Sequence, residues 1–129
     1  MAKKTLTFEV DKKGNFSYEP SDTFEYNRTD TVEVRSKSGP FTFKFIHIDS
    51  RGEPDQTLSP LKDGKESMRS RRKGGKWTTG EKEISDDPAV IAAGRSANLD
   101  KVAGYRYAIA CQKGKKLFVD ATLGGTWTC

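Results

Sequence analysis

The chain has 129 residues, enough for one domain with a core of its own and too few for an eightfold β/α barrel or a full dinucleotide-binding oxidoreductase. Charged residues make up 32 % and hydrophobic ones 33 %, so the core is thin and the surface heavily charged. The 23 Lys and Arg against 18 Asp and Glu leave a net charge of +5, a mild preference for anionic partners rather than the charge of a nucleic-acid packing protein.

Lys3 and Lys4 at the N-terminus are not followed by an apolar stretch, because Leu6 to Val10 is broken by Thr7 and Glu9. No run approaches the ~20 apolar residues of a membrane span. The expectation is a cytoplasmic chain, in which Cys111 is a small buried hydrophobe, Cys129 is by default a free thiol, and the acceptor patterns at Asn15 and Asn27 are chance matches. Leu6, Phe8 and Val10 alternate with Thr7 and Glu9, a turn signal follows at Asp11-Lys12-Lys13-Gly14, and Phe16 and Tyr18 alternate again, which predicts a hairpin. Val32 and Val34 mark another strand. The strongest strand signal is Phe41 to Ile48, with Phe41, Phe43, Phe45 and His47 on one face and Thr42, Lys44, Ile46 and Ile48 on the other. The second face turns from polar to apolar along the strand, as expected for a strand central to a two-layer core.

Alternation vanishes from Asp49 to about Trp77, a stretch with several Gly and Pro residues and many charges, which predicts a long exposed loop at 49–77. Asp86-Asp87-Pro88 followed by Ala89 to Ala93 and Gly94 fits a short helix with an Asp cap and Pro in its first turn, and equally a short strand. Tyr105, Tyr107, Ile109 and Cys111 then alternate with Arg106, Ala108 and Ala110. After a turn at Gln112 to Lys116, Leu117, Val119, Ala121 and Leu123 form one face of a closing strand, and Thr126 to Cys129 can add a last one. The pattern predicts an all-β chain: a single antiparallel Greek-key β-sandwich over 1–129 with one long loop insertion.

The run Ala103 to Cys111 resembles the late strand of cupredoxin-like and immunoglobulin-like sandwiches, with Tyr107, Ile109 and Cys111 in the phase that leads into the cupredoxin metal loop and His47 on a Phe-rich strand. Leu99 to Tyr105 resembles the tyrosine corner of immunoglobulin-like domains. The resemblance implies a sandwich and, as an alternative function, a metal or redox protein using His47 and Cys111. The ligand count opposes that alternative. A blue-copper site needs two His, and this chain has one; after Cys111 stand Lys113, Lys115 and Lys116. The expectation is therefore no metal and no cofactor.

Catalytic patterns are missing as well. Gly94-Arg95-Ser96-Ala97-Asn98 lacks the second Gly of a nucleophile elbow, Gly74-Gly75-Lys76 is followed by Trp77 rather than a hydroxyl, and adjacent acids such as Asp86-Asp87 suit a cap. One cluster stands out. Arg69, Arg71, Arg72, Lys73 and Lys76 lie within nine residues that end in Trp77 with no intervening acid, a charge equal to the whole net charge of the chain. Such a segment suits phosphates tracked by Arg and Lys with Trp77 stacked on a base, an acidic protein surface, an anionic membrane surface, or simply a solvated loop in which Trp77 begins the next strand. The expected function is a non-enzymatic binding module with an anionic partner, nucleic acid among the candidates, and an edge strand open to homodimerisation.

Overall fold

The computed structural model describes residues 2–55, 58–98 and 104–120. Among these residues two mixed sheets pack face to face as an all-β sandwich, with one short helix. Sheet A runs β2 (Phe16–Glu19), β1 (Lys3–Val10), β4 (Thr31–Ser36), β9 (Lys76–Thr78) and β8 (Arg71–Lys73), with β10 (Lys82–Glu83) also on β4. Sheet B runs β3 (Phe24–Glu25), β11 (Ser96–Asn98), β12 (Gly104–Lys113), β5 (Phe41–Ile48) and β6 (Pro54–Asp55). Here β7 (Ser67–Arg69) also pairs with β5, and β13 (Lys116–Asp120) with β12.

The alternation in the sequence explains the core. Leu6, Phe8 and Val10 with Val32 and Val34 face inward from sheet A; Phe41, Phe43 and Phe45 with Tyr105, Tyr107, Ile109 and Cys111 face them from sheet B. Aromatic rings dominate the contact. Phe43 stacks on Tyr107 at 4.8 Å and meets Phe24 edge-on at 5.5 Å, while Phe8 meets Phe41 edge-on at 4.8 Å. The β5–β12 ladder is the spine of sheet B, pairing His47 with Tyr105 and Phe41 with Cys111. On the outer face of sheet B, Ile46, Ile48 and Ala108 form a second apolar cluster.

Three expectations are corrected. The sheets are not wholly antiparallel, since β1 pairs with β4 and β11 with β12 in parallel. For β1 and β4 the reason is the path: β2 returns along β1, β3 crosses to the other sheet, and β4 re-enters in the direction of β1. The stretch 49–77 is not one loop. It carries β6, β7, β8 and the start of β9, and it buries Leu61 and Met68. Its strands are only two or three residues long, too short for alternation to show. The closing strand also turns its other face inward: Phe118 packs on the core while Leu117 and Val119 stay exposed.

The segment at 86–94 is a helix, α1 (Pro88–Ala93). Asp87 caps it by accepting from the Ala89 N–H at 2.9 Å, Pro88 sits in the first turn, and Val90 and Ile91 are buried. The expected tyrosine corner falls mostly on residues 99–103, outside the described residues, as do Ala121, Leu123 and the segment from Thr126 to Cys129. A tyrosine-to-backbone tie of that type exists one alternation later, where the Tyr107 hydroxyl donates to the Asp22 carbonyl.

Candidate functional site

The basic cluster is built on a hairpin at the open end of sheet A. Gly74 and Gly75 both hold positive φ, 60° and 79°, which suits a two-residue turn that L side chains resist. The turn is closed by Lys73 opposite Lys76, followed by Arg72 opposite Trp77 and Arg71 opposite Thr78. On its other side β9 pairs Thr78 with Arg35 and Trp77 with Ser36 of β4. Opposed residues share a face, so this register sorts the cluster. Trp77 and Ser36 lie on the core side, where Trp77 is half-buried against the apolar cluster, and Arg72 takes that side at the rim. Arg71, Lys73 and Lys76 share the outer face with Thr78 and Arg35.

Arg69 departs from the rest. The chain changes sheets at Ser70, whose Oγ accepts from the Phe41 N–H at 2.8 Å and whose N–H donates to the Phe41 carbonyl at 2.9 Å. Arg69, opposite Thr42, therefore lies on the outer face of sheet B. There it walls a shallow groove of about 250 Å³ whose other wall is Leu117. The contiguous sequence cluster thus becomes a trio on one face, with Arg72 on the rim and Arg69 around the corner. Of the two roles open to Trp77, the structure shows packing.

Arg35 is the neighbouring cation of this face that sequence reasoning missed. It stands in the column next to Arg71 through Thr78, and its Nη2 lies 2.9 Å from Glu33 Oε1. Glu33, nearly buried on this face, also takes Lys3 Nζ at 3.0 Å and accepts from the Thr78 hydroxyl. Burial pushes its carboxyl up, but the Arg35, Thr78 and Lys3 hydrogen bonds outweigh burial and hold it at about 2. No spacing motif marks this network, because its members come from three strands. Arg71, Arg72, Lys73, Lys76 and Arg69, by contrast, are ion-paired to none of the described acids, whereas Lys3, Arg35, Lys44, Arg51 and Lys62 each are.

His47 and Cys111 are not brought together. His47 is level with Tyr105 and Cys111 with Phe41, so six residues of ladder, about 20 Å, separate them. Cys111 is buried, its thiol is pushed up to about 11 by burial, and its Sγ lies 3.8 Å from the Gly39 carbonyl. His47 contacts the Tyr105 ring, and its Nδ1 is buried 3.9 Å from Asp55 Oδ2. Among the described residues no group of three or more His, Cys, Asp or Glu side chains could hold a metal ion. Among the same residues no helix is long and apolar enough to cross a membrane. Compared with known proteins, the chain matches no family model, and no curated protein or solved structure is similar to it.

Proposed function

We propose that this chain is a non-enzymatic interaction module that contacts a phosphate-rich anionic partner through the outer face of the β8–β9 hairpin. The observation that carries this reading is the charge imbalance of the face. Arg71 and Lys73 are exposed, Lys76 is half-exposed beside them, and no described acid neutralises any of the three. A short two-stranded ribbon with cations on one side follows a phosphate backbone by side-chain contact. Arg72 and Arg69 widen the positive field without sharing the plane. The cations also block strand addition along β8, which favours a partner that engages side chains over one that extends the sheet.

A mobility-shift titration with a short single-stranded oligonucleotide across a salt series tests this. Replacing Arg71, Lys73 and Lys76 together by Ala is expected to weaken binding roughly tenfold or more and to flatten the log–log salt slope by about 2, at ~0.7 per lost phosphate contact. Replacing Arg69 and Arg72 is expected to do less. Equal binding by the wild type and a chain lacking all five cations would end the proposal.

A further inference from the structure

We propose that two copies of this chain associate about a two-fold axis by antiparallel pairing of β13, in a register centred on Phe118. The only large apolar side chains left exposed among the described residues are Leu117, 54 % accessible, and Val119, 44 %, and both stand on this one strand. Among the described residues β13 is also the longest strand that pairs with one neighbour only. The other described edges are guarded or short: β8 is all cationic, β2 runs into Pro20, and β3, β6, β7 and β10 are two or three residues long. β13 has no such guard.

Its sequence is complementary to itself. In the proposed register Lys116 lies opposite Asp120 of the second copy, Leu117 opposite Val119, and Phe118 opposite Phe118, so both charged ends meet an opposite charge and the Leu117 and Val119 side chains of the two copies form one apolar patch on the outer face. The backbone agrees. Gly114, at φ 64°, and Lys115 make a two-residue turn closed by Lys113 opposite Lys116. Such a turn closes on a hydrogen-bonded pair, and the ladder alternates from there. Lys116, Phe118 and Asp120 therefore bond back to β12, while the N–H and C=O groups of Leu117 and Val119 face the open edge. A register centred on Phe118 pairs those outward groups with each other.

The test is the oligomeric state of the full chain, by sedimentation and light scattering from micromolar to millimolar concentration. The wild type is expected to dimerise. Lys116→Asp and Asp120→Lys, each alone, place like charges opposite each other at both ends and are expected to weaken the dimer roughly tenfold or more. An equimolar mixture of the two variants restores opposite charges at both ends and is expected to dimerise like the wild type. Asp120 also accepts from Tyr18, so Asp120→Lys carries a risk to the fold. Val119→Pro is the second probe: it removes an N–H that faces the open edge, leaves the β12 pairing, and is expected to give a monomer. A monomeric wild type at every concentration, folded single variants that dimerise unchanged, a folded mixture that stays monomeric, or a dimeric Val119→Pro would each overturn the proposal.

Discussion

Glu33 shows how one residue ties the outer face of sheet A together. Its side chain is 7 % exposed, yet it is charged, because Lys3 from β1, Arg35 from its own strand and Thr78 from β9 converge on its two oxygens. A carboxylate held at about 2 in the fold, against an ordinary 4.5, stabilises the native state above the ordinary value. That contribution is complete above about pH 4.5 and is lost as the pH falls toward 2. It amounts to about 3 kcal/mol at neutral pH. Glu33→Gln is therefore expected to be less stable than the wild type by about 2–3 kcal/mol at pH 7, and the gap should close as the pH approaches 2. Denaturant unfolding of both proteins across this range measures it, and a gap that persists undiminished at the acid end contradicts the account. Gly39 illustrates a different constraint, one of space. A Cβ there would stand 2.0 Å from the Gln112 carbonyl oxygen, so the turn between β4 and β5 passes against the backbone at the end of β12 only without a side chain.

At the scale of elements, legibility follows strand length and turn geometry. β1, β4, β5 and β12 run six to ten residues, long enough for period-2 alternation to mark their inward faces, and those faces are the core. The cap and proline of α1 are visible too, since Asp87 and Pro88 act locally, but Ala89 to Ala93 fits a short strand as well, and packing of Val90 and Ile91 decides for the helix. The strands within 49–77 escaped because two or three residues carry no period; partner strands, not local pattern, define them. The candidate site was half legible. Its cations are contiguous in sequence, but their division among faces depends on the register of β8 on β9 and on the change of sheet at Ser70.

β13 itself is legible as a closing strand; only its inward face is not, and for a third reason. Leu117, Phe118 and Val119 are all apolar, so alternation alone allows either face. The two-residue turn decides it: Phe118 falls opposite Cys111, which faces the core, and Leu117 falls opposite Gln112. Phe118 also reaches across the sandwich to the turn between β1 and β2, lying under Gly14, where a Cβ would meet its ring at 2.8 Å. Phe118→Ala is accordingly expected to cost about 2–3 kcal/mol in chemical unfolding at low protein concentration, whereas Leu117→Ala should stay within about 0.5 kcal/mol. The reverse order would mean that the closing strand packs on its other face.

For the whole molecule, what matters is where the two exposed features sit. The Tyr18 hydroxyl donates to Asp120, so β2 lies over β13 and the two close one side of the sandwich. Ser70 joins β7 to β8 on the other side. The cationic hairpin and the apolar strand thus occupy opposite edges, and pairing through β13 leaves both hairpins of a dimer uncovered at its two ends. A dimer of this form is bivalent toward an extended polyanion, and its second contact is made at the effective concentration set by a rigid body rather than by the bulk. Two measurements separate valency from affinity. On a densely charged heparin matrix, Val119→Pro, which alters no charge, is expected to elute at lower salt than the wild type, with apparent affinity reduced roughly tenfold or more. Toward an oligonucleotide too short to reach both ends, the two proteins should bind alike, because each hairpin is intact. Equal elution of a monomeric Val119→Pro and a dimeric wild type would show that the two edges do not act together, and a loss of short-oligonucleotide binding would place part of the anion site on β13 itself.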